Sequence, residues 1–438
     1  MPVYEFKCKD ENCGLQEPVI AGLDDDVAIC SRCGGLMMRL DGATFTPNNK
    51  TPKNFEEAKT MEIRADQDTL VKAISAVLGV VDKKGTMPIL SNVLLKTNGN
   101  GLEIGATDLE ISFKGYCPAQ IIGEGAVTVP AHQLSSLVKE LPVGELELKS
   151  TKSHTLKIKR GESLYKLSGI NPDQFPPLPV RPEGGYVEME SKVLKEMLRK
   201  VIFSCCGDDL QYHLSSVLMV AAEEDGRPFL RLVTTDGHRL TLIQRENPLV
   251  GLLIGLDKGI LVSRKGALEI IRFLGEEEKV SLNVDGNTLT VLAGEKLLSI
   301  RLLDKKFPEY QRIIPESSVH RLAFNREELL ATIKRLSLLT SDRFKGVLFK
   351  ISSETAEVFH QSPDVGEGLE ALQQFTVENS DPAKFPLEMG FNARYLLEPL
   401  AMMSGDKVVL GINEMDRPAR LADPNDPHYF SIIMPMST

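Results

Sequence analysis

The chain of 438 residues has no tryptophan, and its aromatic content is only 6%. It lacks any apolar run near the roughly 18 residues needed to span a bilayer as a helix. Its opening, MPVYEFKCKD, lacks the apolar core of a signal peptide. These absences point to a cytoplasmic protein. Positive charge is in deficit, with 51 Lys and Arg against 61 Asp and Glu and a formal charge of −10, so the protein is not basic all over. Signatures of catalysis are missing as well. There is no G-x-x-x-x-G-K-[ST] phosphate loop (GVVDKKGT, residues 79–86, has the wrong spacing), no G-x-S-x-G elbow and no H-E-x-x-H. Thr235-Asp236-Gly237-His238-Arg239 sets an acid, a base and a cation side by side. Adjacent residues in a turn rarely face one another, so a tight Asp-Gly turn that presents His238 and Arg239 at the surface is the better reading. No enzyme is expected.

Cysteine is scarce and unevenly placed. Four of seven fall in the first 33 residues, as Cys8, Cys13, Cys30 and Cys33, in a C-x4-C-x16-C-x2-C pattern. Thiolates at such spacing can share one tetrahedral soft cation, so residues 1–42 read as a zinc ribbon, with iron in a rubredoxin-like site the competitor. Four thiolates saturate the metal and leave no position for a catalytic water. Residues 43–60, ATFTPNNKTPKNFEEAKT, read as a linker, and Met61-Glu62-Ile63 looks like the start of a second protein. Cys117, Cys205 and Cys206 have no metal-ligand spacing and are expected to be buried or bystander thiols.

What the rest of the chain has is a threefold echo with a period of about 125 residues. Each copy opens with an amphipathic helix signal: DTLVKAISAVL, SKVLKEMLRKVIF, REELLATIKRLSLL. Each has a second: AHQLSSLVKEL, RKGALEIIRFL, ARYLLEPLAMM. Between and after them lie period-two strand segments such as Glu145-Leu146-Glu147-Leu148-Lys149, broken by turns such as Asp285-Gly286-Asn287. The expectation is an α+β fold of three tandem domains, 61–185, 186–316 and 317–438, each a sheet covered on one side by two helices. Lys and Arg outnumber Asp and Glu in the helix segments although the chain is acidic. Lys192, Lys195 and Arg199 share one face of their helix, opposite a core-facing stripe of Val193, Leu194, Met197, Leu198, Val201 and Ile202, and Lys265, Arg272, Lys334 and Arg335 add to the excess. Positive charge gathered on one type of element is a footprint for phosphates.

From Met61 onward the chain resembles the bacterial DNA sliding clamps, the beta subunits of DNA polymerase III. The resemblance rests on MPILSNVLL, ATDLEISF, TTDGHRLTL, FPEYQRIIP, GFNARYLLEPL and the terminal IIMPM. The front module, headed by MPVYEFKC, resembles the small FmdB-type zinc ribbon proteins. The clamp resemblance implies a processivity fold, with antiparallel sheets outside and helices lining a ring, closed by a head-to-tail homodimer around duplex DNA. It implies sequence-independent DNA contact through Lys83, Lys84, Lys195, Arg199 and Tyr212. It implies a subunit interface with Tyr165 and Leu167 facing Leu338 and Leu339. It also implies a groove for short peptides of the polymerase III catalytic subunit, the clamp loader, other polymerases and repair proteins. Its walls would be Leu214, Thr235, Gly237, His238, Arg239, Leu240, Pro308, Arg312, Ile313, Asn392, Tyr395, Ile433, Met434, Pro435 and Met436, with Arg239 and Arg312 as polar edges. The rival reading is a sequence-specific DNA-binding regulator that uses the ribbon for recognition and the repeats as an oligomerisation scaffold.

Overall fold

The computed structural model describes residues 3–10, 13–20, 27–33, 36–44, 60–82, 87–99, 101–207, 214–253, 255–275, 277–341, 345–381, 385–414 and 416–436. Two compact units emerge, residues 1–59 and 60–438.

The first unit is a four-stranded antiparallel sheet in the order Gln16–Ile20, Val3–Cys8, Leu36–Thr44, Val27–Ile29. Among its described residues, Phe6, Cys8, Cys30 and Met37 are buried together. A unit no longer than residues 1–59 is marginal by its size without a metal or another staple.

The second unit contains the six helices expected from periodicity: α1 (Gln67–Val77), α2 (Ala131–Glu140), α3 (Ser191–Val201), α4 (Arg264–Phe273), α5 (Arg326–Ser337) and α6 (Ala393–Met402). Four of the six starts are set by short polar caps, while α2 and α3, which follow Pro130 and Glu190, have no side-chain cap. Asp66 accepts from Thr69 N at 3.2 Å, Ser263 from Gly266 N at 3.0 Å, and Asn325 from Glu328 N at 2.9 Å. In α3 the predicted stripe faces the core: Leu194, Met197, Leu198 and Val201 are all at 0% exposure, while Val193 and Ile202 are half-buried against it. The helices pack in sequential pairs, α1 with α2, α3 with α4 and α5 with α6. Gly161, Gly286 and Gly294 each turn a hairpin at φ between +55° and +59°, a backbone that disfavours any side chain.

One expectation is corrected here. The repeats are not three separate sheets, because two sheets run across the boundaries between copies. Strand Ile111–Pro118 of the first copy pairs with Lys296–Arg301 of the second inside an eight-stranded sheet. Strand Arg239–Glu246 of the second pairs with Tyr429–Ile433 of the third inside a nine-stranded sheet. The physical reason is edge satisfaction: a strand that ends its own sheet carries unpaired backbone groups, and the neighbouring copy supplies their partners. Two further sheets, of five and four strands, end on Ser163–Ser168 and Gly366–Leu372, each paired on one side only. No helix among the described residues is long and apolar enough to cross a membrane.

Candidate functional sites

The turn from Thr235 to Leu240 is built by its own side chains. Thr235 Oγ1 donates to Arg239 O at 2.6 Å, and the Asp236 carboxylate accepts from His238 N and Arg239 N at 3.0 and 3.1 Å. Gly237 sits at φ +88°, where a Cβ would be strained. His238 is exposed as expected, but Arg239 is not a surface group or a polar edge, since it is only 4% exposed. The reason lies far along the chain. Its guanidinium meets Asp236 at 3.0 Å and Glu398 of α6 at 2.5 Å, and it donates to Phe203 O at 2.7 Å. It also lies 4.5 Å from the centroid of the Tyr395 ring. A buried charge needs this degree of pairing.

Around that turn most of the expected groove residues converge. Leu214 lies against the face of Gly237. His238 stacks on Tyr395 with centroids 6.3 Å apart and planes at 17°. Arg239 and Leu240 pair in register with Ile433 and Ile432, and Met434 N donates to His238 O at 3.0 Å. Met434 and Met436 are each 40% exposed, which leaves two flexible thioethers on the surface beside the exposed His238. Asn392 caps α6 by accepting from Arg394 N at 3.0 Å and joins Arg394 and Tyr395 in an open cavity of about 580 Å³. Pro308, Arg312 and Ile313 belong to the connection between second and third copies. That connection is anchored by Tyr310, buried with Leu240, Phe430 and Ile432. Ile313 is 42% exposed and Arg312 is paired with Glu309 at 2.7 Å. Sequence reasoning missed Asp236, Phe203 and Glu398 as members of this site. Only Asp236 had a local signal, inside the TDGHR turn.

Of the residues expected to face DNA, Lys83, Lys84 and Tyr212 lie outside the described residues. Arg199 is exposed; Lys195 is half-buried and donates to Leu274 O at 2.5 Å. Part of the helix charge is neutralised in place: Lys265 bonds Asp108, Arg272 bonds Glu269 and Arg335 bonds Glu370. Lys200, 8% exposed, is bonded to Asp426 at 2.9 Å and Glu196 at 2.8 Å under the Tyr429 ring. The field from the helices is therefore weaker than the sequence count suggests.

At the expected interface, Leu338 is 77% and Tyr165 38% exposed, with Leu164 and Leu369 also open to solvent. Leu339 is half-buried and Leu167 packs partly on the core. In the first unit, the sulfurs of Cys8, Cys13, Cys30 and Cys33 lie within 4.8 Å of one another, a set that could hold a metal ion. Backbone N–H groups of Cys33 and Arg32 lower the Cys30 thiol to about 7, as a knuckle does for a metal-ligating thiolate.

Comparison with known proteins decides the family. Residues 61–179 match the DNA polymerase III beta subunit N-terminal domain, 188–309 its central domain and 311–437 its C-terminal domain. The chain belongs to the DNA polymerase III beta subunit family, the bacterial sliding clamps. It is 29% identical to the beta sliding clamp of Pseudomonas putida over 379 residues, covering 86% of this chain and 100% of that one. With the Caulobacter vibrioides clamp it shares 28% over 379 residues, with the same coverage. The solved clamp from Bartonella birtlesii, bound to griselimycin, superposes with a TM-score of 0.80 at 28% identity, over 86% of this chain and all of that one. A protein of this family is a DNA sliding clamp that gives the polymerase processivity. It is a non-catalytic, homodimeric subunit that binds DNA, polymerase and other clamp-binding partners. The regulator reading finds no support, and residues 1–60 lie outside all three domain matches.

Proposed function

We propose that residues 61–438, divided at 185/186 and 316/317, form half of a ring, and that a second copy closes it head to tail. The observation that carries this is the repeated junction. Twice, the last strand of one copy's sheet pairs antiparallel with the strand after the Thr-Asp turn of the copy before it. Ser163–Ser168 and Gly366–Leu372 hold the corresponding places at the two ends of the repeat. Pairing them between two chains satisfies both edges and covers Leu164, Tyr165, Leu167, Leu338 and Leu339. The helices then face duplex DNA through Lys195, Arg199, Lys83, Lys84 and Tyr212, contacting phosphates without reading sequence. The groove from Leu214 to Met436 takes apolar peptides of the polymerase III catalytic subunit, the clamp loader, other polymerases and repair proteins.

The first unit is a zinc ribbon. Tetrahedral zinc with Zn–S bonds of about 2.3 Å sets its sulfurs about 3.8 Å apart. The Cys8–Cys33 and Cys13–Cys30 separations of 3.5 and 3.7 Å fit that frame. A cytoplasmic setting keeps the thiols reduced.

Retention on DNA tests the ring. Protein loaded on nicked circular DNA should stay bound and leave once the circle is cut; equal retention on linear DNA refutes topological binding. Deleting residues 434–438 tests the groove, by calorimetry with griselimycin: binding is expected to vanish while the dimer persists, and unchanged binding places the peptide site elsewhere.

A further inference from the structure

The two junctions inside the chain are built on the same turn. Thr107 Oγ1 donates to Ile111 O, the Asp108 carboxylate accepts from Glu110 N and Ile111 N, and Leu109 takes a positive φ of 76°. Thr235, Asp236, His238, Arg239 and Gly237 repeat each of these interactions. The helix that faces the turn is equivalent too. Arg264 N donates to Ser215 O at the start of α4, and Ala393 N to Lys345 O at the start of α6. Counting from there, Glu269 corresponds to Glu398 and Gly266 to Tyr395. Glu269 faces no arginine from its turn, where Ile111 stands, and instead bonds Arg272 on its own helix. Glu398 reaches across to Arg239, and Arg239 lies over a ring that the other junction does not have.

We propose that Glu398 is a positioning residue of the peptide groove, an inference that rests on the groove assigned above. Acting through Arg239, it holds the Tyr395 ring parallel to His238. It thereby fixes the rim against which an apolar peptide side chain packs. Arg239 is well suited to this role because its planar guanidinium can take Asp236 on one edge, Glu398 on another and the ring on its face. The Arg239 Nη1 to Glu398 Oε2 contact is an ion pair without hydrogen-bond alignment, so its contribution is charge and placement. Arg394 also bonds Glu398, at 2.9 Å. This second cation keeps the carboxylate oriented when Arg239 is changed.

The test uses the full chain labelled with fluorotyrosine, the Tyr395 resonance being assigned by its loss in Tyr395→Phe, with griselimycin as probe. Glu398→Gln, which keeps the shape and removes the charge, should shift the Tyr395 resonance and weaken griselimycin about tenfold. Arg239→Lys, which keeps the charge and removes the plane, should do the same. Glu398→Gln placed on Tyr395→Ala should add no further loss, because the ring it positions is gone. If Tyr395→Ala weakens the probe while Glu398→Gln moves neither resonance nor affinity, the positioning role is refuted and the groove stands. If neither Tyr395→Ala nor Met434→Ala changes binding, the groove assignment itself fails and this role goes with it.

Discussion

Changing Asp426 to Asn should loosen the junction between the second and third copies. Asp426 accepts from Lys200 at 2.9 Å and from Arg245 Nη2 at 2.7 Å, and Arg245 also meets Glu196 at 3.1 Å. The side chains of Lys200, Asp426 and Arg245 are 10%, 15% and 23% exposed. Removing one member of a buried pair costs about 3–5 kcal/mol. Here Glu196 still holds Lys200 at 2.8 Å and the Asn oxygen still accepts from Arg245, so about 2 kcal/mol is expected. A unit of this size need not unfold in two states. The direct assay is therefore hydrogen exchange of the Tyr429–Ile433 amides, which should quicken about thirtyfold. Lys200→Met, which removes the charge but keeps the aliphatic stem over Tyr429, should change exchange far less. Acid adds a sign check. Burial alone would raise the Asp426 carboxyl, but the bonds from Arg245 and Lys200 hold it below its ordinary value. Its contribution is thus full above the unfolded carboxylate value near about 3.9 and is lost as pH falls through the lower folded value. The difference between wild type and Asp426→Asn should shrink over that acid range. Exchange quickened less than threefold at neutral pH, or Lys200→Met as damaging as Asp426→Asn, refutes the reasoning.

Leu338→Asp with Leu339→Asp should split the dimer, because closing the interface would bury unpaired charge; sedimentation velocity showing an intact dimer rules out that interface. Chelation should unfold the first unit and leave the melting of residues 61–438 unchanged, read by circular dichroism of the full chain and of the clamp portion alone; a lowered clamp transition contradicts the separation of the two units. Burial pushes the Cys205 thiol up to about 12 and the Cys117 thiol up to about 11, so both should resist iodoacetamide at pH 8 in the folded protein. Mass spectrometry finding either alkylated before unfolding would show that the site opens.

The parts of this protein that were legible in its sequence are those written in neighbouring residues. The stripe Val193, Leu194, Met197, Leu198, Val201, Ile202 specifies a helix face by its spacing alone, its edges Val193 and Ile202 only half-buried, and Asp285-Gly286-Asn287 specifies a hairpin by the backbone that Gly286 permits. The four cysteines pointed to one another because ligand spacing is local to two turns. What escaped was pairing between distant residues. TDGHR announces a tight turn, but whether Arg239 points out to water or inward depends on Glu398 and Tyr395, more than 150 residues later in the chain. The same holds for Lys265, a basic helix residue whose charge is taken up by Asp108 from another copy. A count of helix charge therefore overstates what DNA would meet, because an ion pair formed across a junction subtracts from a field that the sequence assigns to one helix. Internal repetition partly compensates for this blindness. Two equivalent turns that differ at Ile111 and Arg239 show which interactions belong to the shared scaffold and which were added at one junction. The added ones, a buried arginine with two carboxylates and a ring, are costly to bury without a use. Their confinement to the junction that also presents Met434 and Met436 is what ties them to the groove rather than to the fold.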